Sequence, residues 1–122
     1  MDKEQALNQF WNSFDIPAYD NNTVPDDATY PRITYDVTVN GFGTPTSLFA
    51  SIWDRSTGWG RITGLAHKID SRLSEGGQMV SFDGGALWIK KGNPFQQRMS
   101  DPDDTIRRIV VNIEVEYLEG KR

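Results

Sequence analysis

Residues 109–117 (IVVNIEVEY) decide the fold, because apolar residues take every second position in this stretch. The apolar positions are Ile109, Val111, Ile113, Val115 and Tyr117. Polar side chains alternate with them at Arg108, Asn112, Glu114 and Glu116. A period of two puts successive side chains on opposite faces of a β-strand. One apolar face and one polar face are typical of an antiparallel sheet, so this segment predicts such a sheet.

Four upstream segments predict further strands. Residues 30–39 alternate with the same period, and residues 46–55 follow after a connection that is rich in glycine and proline. Residues 79–82 and 86–91 flank an Asp-Gly-Gly turn at positions 83–85. Asp-Gly between apolar runs is a strong hairpin signal, so we expect these two segments to pair directly.

Two segments predict amphipathic helices. In residues 3–14 the apolar side chains recur at steps of three and four, and Asp2 is placed to cap the helix. We expect the second helix to begin after a cap at Ser56 or Thr57 and to end near the glycines at 76–77. Its apolar stripe is Trp59, Ile62, Ala66, Ile69 and Leu73. The prediction is an α+β fold, with two helices packed on a mostly antiparallel sheet in the order α-β-β-α-β-β-β.

Two further segments predict loops. Residues 15–29 contain many turn-forming residues, with a short strand expected at 16–19. Residues 92–104 (GNPFQQRMSDPDD) carry too much proline, asparagine and aspartate for a helix or a central strand. We therefore predict a protruding loop at 92–104 that is mobile before it meets a partner.

The composition is that of one soluble domain spanning residues 1–122. The chain is 37% hydrophobic and 25% charged, and no apolar run approaches the length of a membrane span. It has no cysteine, one histidine and a formal charge of −4. These numbers exclude disulfides and cysteine-ligated zinc, and they argue against a general nucleic-acid binder, which needs a basic face.

No residue pattern predicts catalysis or a cofactor. His67 is expected at the edge of a helix stripe, without the serine and aspartate geometry of a catalytic triad. The acidic group Asp101, Asp103 and Asp104 lacks the glycine and the distal glutamate of a calcium loop. We therefore expect solvated charges there, or partners for Arg98, Arg107 and Arg108. The chain is predicted to be no enzyme and to bind no metal.

The sequence does predict interaction surfaces. Phe49, Trp53 and Trp88 make their strands apolar on both faces, although two helices cover only one face of a sheet. A second subunit could cover the other face, and the segment 15–29 is the intramolecular alternative. Tryptophan, methionine and arginine are common at the centres of interfaces. The predicted interaction residues are Trp53, Trp59, Trp88, Phe95, Arg98, Met99 and Arg107.

Several ordered segments resemble the tail terminator, or tail completion, proteins of long-tailed bacteriophages, sometimes called minor capsid proteins. The segments are 53–59 (WDRSTGW), 83–91 (DGGALWIKK), 94–108 (PFQQRMSDPDDTIRR) and 112–117 (NIEVEY). Two N-terminal segments are similar as well, 14–25 (FDIPAYDNNTVP) and 31–35 (PRITY). Together they cover nearly the whole chain, and none of them is a catalytic motif.

The resemblance implies a structural neck protein of the virion, assembled in the cytoplasm of a host bacterium. Such proteins form a hexameric ring that caps the tail tube and joins it to the head connector. The implied partners are further copies of the chain, the tail tube protein and the connector protein, with no sequence-specific nucleic acid and no membrane. Two alternatives are a head-side neck or stopper protein and a small-ligand binding domain.

Overall fold

The computed structural model describes residues 2–37 and 45–119 as one six-stranded sheet with two α-helices. The helices are α1 (Lys3–Trp11), which a 3-10 turn (Asn12–Phe14) extends, and α2 (Gly60–Leu73). The strands are β1 (Ala18–Asp20), β2 (Arg32–Tyr35), β3 (Thr46–Arg55), β4 (Gln78–Phe82), β5 (Gly85–Met99) and β6 (Ile106–Glu119). The α+β class and the two helices are confirmed. The order differs from the predicted one by the additional short strand β1.

Strand β6 lies in the middle of the sheet, whose strand order is β1-β2-β3-β6-β5-β4. It pairs antiparallel with β3 on one side and with β5 on the other, and only β1 and β2 run parallel. The five alternating apolar residues of β6, from Ile109 to Tyr117, are each at most 2% exposed. Burying a side chain of this size contributes roughly 1.5–3 kcal/mol to stability. The prediction from residues 109–117 is therefore confirmed.

Both helices bury their apolar stripes in the core that contains this face of the sheet. In α1 the Asp2 carboxylate accepts the Gln5 backbone N–H at 2.8 Å, and the Gln5 side chain accepts the Asp2 N–H at 2.9 Å. The predicted cap at Asp2 is confirmed. The stripe of α2 is confirmed as well, since four of its five residues are buried and Trp59 packs against the core.

The predicted cap of α2 was wrong. Trp59 occupies the cap position without a side-chain hydrogen bond, and the helix begins at Gly60. The Ser56 hydroxyl instead accepts the backbone N–H of Gly58 at 3.1 Å. The Ser56 hydroxyl is therefore engaged in a local turn and does not cap α2.

The predicted protruding loop at 92–104 was also wrong over most of its length. Residues 92–99 belong to β5, which continues along β6 to Met99, so only the six residues 100–105 form the connection. Pro94, which argued against a strand, lies in an irregularity between Lys91 and Gln96. No hydrogen bond of the strand ladder is needed from it there. Residues 96–99 pair with β6, and the mobility expected of the segment before assembly stays a prediction.

This irregularity changes which way the side chains of β5 point. Lys91 pairs with Ile113 and Gln96 with Val111, so four residues of β5 stand opposite Asn112 alone. The three extra residues are an odd number, and the alternation of faces reverses across them. Before the irregularity the odd-numbered residues face the helices, and after it Gln96 and Arg98 do.

The remaining differences concern short elements. The strand expected at 16–19 lies at Ala18–Asp20, where it pairs with β2. Strand β2 ends at Tyr35, and the rest of the segment predicted to 39, with the glycine connection after it, falls partly outside the described residues. Strand β3 and the hairpin of β4 and β5 lie where the sequence predicts them.

A close backbone approach explains one glycine and gives a test of the sheet. A Cβ at Gly85 would lie 2.0 Å from the Leu118 carbonyl oxygen on β6, whereas a Cβ at Gly64 on α2 would meet nothing within 4 Å. We expect Gly85→Ala to lower the free energy of unfolding by about 2 kcal/mol. Gly64→Ala should raise it by up to about 1 kcal/mol, because alanine favours a helix interior. Urea denaturation measures both, and equal effects would contradict the register of β5 and β6.

Candidate functional site

The sheet face opposite the helices, here called the open face, carries its side chains in rows that run across the strands. The first row is Arg32, Trp53, Arg108 and Met99, on β2, β3, β6 and β5. The second row is Thr34, Ser51, Val110 and Gln97. Phe49 and Asn112 follow, then Ser47, Glu114 and Lys90, then Glu116, Trp88 and Met79. The face thus runs from an arginine-rich end to a glutamate-bearing end.

Apolar side chains remain exposed on the open face. Phe49 is 51% exposed, Met79 53% and Met99 38%. Phe49 borders two grooves of about 320 Å³ and 300 Å³, one on the Thr34 and Ser51 side and one on the Asn93 and Pro94 side. The exposed Phe49 ring and the two grooves beside it make this part of the open face a candidate contact surface.

Aromatic rings and hydroxyls hold the arginines of the first row. The Arg108 guanidinium lies 4.6 Å from the centre of the Trp53 ring, and its Nε donates to the Ser51 hydroxyl at 3.0 Å. The Trp53 indole N–H donates to the Thr34 hydroxyl at 2.9 Å. Stacking fixes the guanidinium while leaving other N–H groups for a partner.

The segment before β2 borders the open face at the arginine-rich end. Arg32 donates to the Ala28 carbonyl oxygen at 3.0 Å and stacks at 4.3 Å on the Tyr30 ring, on which Arg55 also lies at 5.1 Å. The intramolecular alternative, that residues 15–29 cover this face, therefore applies to its edge only, because Phe49 stays half exposed.

A second cluster, here called the arginine patch, surrounds the start of α2 and consists of Trp59, Arg61, Arg98 and Arg107. Two guanidinium groups contact the Trp59 ring, Arg98 at 4.6 Å and Arg107 at 5.5 Å from the ring centre. Arg107 also donates to the carbonyl oxygens of Asp104 at 2.8 Å and Thr57 at 3.0 Å. Within the described residues Arg98 and Arg107 form no salt bridge.

A buried carboxylate anchors the arginine patch. Asp54, on β3, has a side chain only 2% exposed and accepts two hydrogen bonds from Arg61, at 3.0 Å to Nε and 2.9 Å to Nη2. Arg61 is 58% exposed and lies in the first turn of α2. This two-point contact fixes the start of α2 against the end of β3.

An acidic surface lies at the other end of the molecule, where α1 begins beside the turn between β4 and β5. It is a shallow cleft of about 370 Å³ lined by Asp2, Lys3, Glu4, Phe82 and Asp83. The turn at 83–84 and the connection at 100–105 lie at opposite ends of β5, so this acidic surface and the arginine patch are separated along the strand. A strand of this length spans roughly 40–50 Å at 3.3 Å per residue.

The structure places six of the seven predicted interaction residues on two surfaces. Trp59, Arg98 and Arg107 meet in the arginine patch, while Trp53, Met99 and Trp88 lie on the open face. Phe95 belongs to neither surface. It lies in the irregularity of β5, half-buried, and packs against the core, so its assignment to a protruding loop was wrong.

The acidic connection 100–105 has an intramolecular role. The Asp103 carboxylate accepts both the hydroxyl and the backbone N–H of Thr105, at 2.6 Å and 2.9 Å, and lies 3.7 Å from Arg55. The hydrogen bond from the Thr105 hydroxyl is the main reason that the pKa of Asp103 lies below its usual value. The ion-pair partner of Asp103 is Arg55, and not Arg98, Arg107 or Arg108 as the sequence suggested.

The described residues contain neither a cluster of metal-ligand side chains nor a membrane-spanning helix. Residues 2–37 and 45–119 contain no group of three or more histidine, aspartate or glutamate side chains placed to hold a metal ion. In the same part of the chain, no helix is long and apolar enough to cross a membrane. His67 is exposed on α2.

No family model matches this chain, and no curated protein matches it. A function for this chain is therefore proposed from the arginine patch, the acidic surface and the family resemblance of its sequence.

The Asp54–Arg61 contact gives a second test. Arg61→Met should lower the free energy of unfolding by roughly 2 kcal/mol, because a buried carboxylate loses its charged partner. Lys68→Met is the matched control, since Lys68 and Asp15 form an exposed pair at 3.2 Å and its loss should cost less than about 0.5 kcal/mol. Thermal and urea denaturation of both variants measure this, and similar small losses would show that Asp54 does not depend on Arg61.

Proposed function

We propose that the chain is a structural subunit that assembles head to tail into a closed ring. In this proposal the ring is the neck component of a long phage tail, where it caps the tail tube and joins it to the head connector. The resemblance supplies the biological setting. The physical support comes from the arginine patch and the acidic surface.

The observation that carries this proposal is the opposite charge of the arginine patch and the acidic surface, which lie toward opposite ends of β5. A head-to-tail contact uses two different patches of each subunit, and the ring is finite when the rotation between neighbours closes. The arginine patch and the cleft beside α1 are two such patches with opposite charge. Opposite charges at a contact set the register of the partners and speed their encounter.

The arginine patch has the chemistry of an interface anchor. Arg98 is exposed, rests on Trp59 and has no carboxylate partner among the described residues. A carboxylate from a neighbouring copy would complete its hydrogen bonding, and Trp59 would lose its remaining water contact. Tryptophan and arginine in such a setting are the residue types that dominate interface energies.

A head-side stopper protein would use the same chemistry and differs only in what the ring touches. Binding separates the two roles. A terminator binds the end of purified tail tubes, whereas a stopper binds the head connector and leaves tubes unbound.

Charge reversal in the arginine patch tests the ring. We expect Arg98→Glu to fold normally by circular dichroism, because the side chain is exposed, and to form rings at least about tenfold less well. Ring formation on tail tubes is counted by negative-stain electron microscopy and weighed by mass photometry. Lys68→Glu makes the same charge change on the outer side of α2 and should assemble normally. Normal rings from Arg98→Glu would rule out this contact.

A further inference from the structure

The open face is complementary in size to a reversed copy of itself. Along β3 the open face carries Ser47, Phe49, Ser51, which is 6% exposed, and Trp53, so that small and large side chains alternate. Read in the opposite direction, this series places every large side chain against a small one. The groove beside Ser51, about 320 Å³ and partly lined by Thr34 and Ser51, has room for a phenylalanine ring.

The same reversal is complementary in charge. Along β6 the open face reads Arg108, Val110, Asn112 and Glu114. Reversed, Arg108 meets Glu114, and Val110 meets Asn112. Within the described part of the chain, neither Arg108 nor Glu114 forms a salt bridge, so both charges are available to a second copy.

One axis satisfies both strands. The midpoint of the β3 series is Ala50 and the midpoint of the β6 series is Val111, and these two residues are partners in the sheet register. A single two-fold axis that runs across the strands, along the Ala50–Val111 pair, therefore reverses both series together. Two independent patterns, one of size and one of charge, share this centre.

We propose that two copies of this chain pair face to face through their open faces about this axis. The partner's Phe49 enters the groove beside Ser51, and each Arg108 meets a Glu114 across the interface. Two sheets packed in this way lie about 10 Å apart with their strands crossing at roughly 30°. Because Arg108 is already stacked on Trp53 at 4.6 Å, little side-chain freedom is lost on pairing.

This contact is separate from the ring contact and does not rest on it. A two-fold contact uses the same patch on both copies, and the assembly is complete with two copies. Five strands about 4.8 Å apart and roughly 25 Å long give about 500 Å² per copy, which is the range of weak, reversible pairs. We therefore expect dissociation in the micromolar range and a strong dependence on salt.

Complementary charge variants test the pairing by sedimentation equilibrium at 5–500 μM, a range chosen on the order of the expected affinity. Wild type should approach twice the chain mass. Arg108→Glu and Glu114→Arg should each pair at least about tenfold less well, since each places like charges opposite one another twice. A 1:1 mixture of the two variants should regain pairs, because both contacts then join opposite charges. Glu75→Arg repeats the second change at an exposed site outside the open face and should pair like wild type.

The outcomes separate the two proposals. Arg98→Glu lies outside the open face and should still form pairs even where it fails to form rings. Glu114 makes no intramolecular ion pair in the described residues, so Glu114→Arg keeps the test valid if Arg108→Glu folds poorly. A wild-type chain that stays monomeric at 500 μM, or a variant mixture that stays as monomeric as its components, would overturn the two-fold pairing.

Discussion

The rest of the structure depends on the alternation of side chains along β6. The alternating apolar residues of β6, from Ile109 to Tyr117, point to one face of the sheet. Both helices pack on this face, and the core lies there. The opposite side of the same strand carries Arg108, Asn112, Glu114 and Glu116, which require water or partners. A central strand of this kind gives the molecule one covered face and one open face, and the candidate surfaces follow from that division.

Arginine on an aromatic ring is the recurring local device of these surfaces. Arg108 rests on Trp53, Arg32 and Arg55 on Tyr30, and Arg98 and Arg107 on Trp59. The ring orients the guanidinium without using up its hydrogen-bond donors. Arg61 is different, because two of its N–H groups donate to the buried Asp54 carboxylate. This contact fixes the start of α2. Arg107 and Arg32 also donate to backbone carbonyl oxygens of the chain, whereas Arg98 on its ring keeps its donors for a contact.

Period and turn chemistry predicted most of the fold, because those signals are local. Residues 46–55 and the stripe of α2 follow directly from side-chain spacing. The segment 92–99 could not be predicted in this way. Its proline argues against a strand, and only pairing with β6 together with an irregularity that tolerates proline makes it one. Trp59, Arg98 and Arg107 were identified by residue type, but their convergence depends on the reversed facing of β5 after residue 95, which no local pattern encodes. Phe95 was misassigned because its segment was predicted to be a protruding loop, whereas it packs against the core from the irregularity of β5.

We propose above all that another chain, and not solvent alone, covers the open face. Hydroxyl-radical footprinting of the purified protein at low and high concentration measures this most directly, because it reports the exposure of individual side chains. We expect oxidation of Phe49 and Met99 to fall clearly as concentration rises, while buried Trp11, 1% exposed, stays unreactive throughout. Unchanged oxidation of Phe49 and Met99 at every concentration, and on assembled tails, would contradict the account.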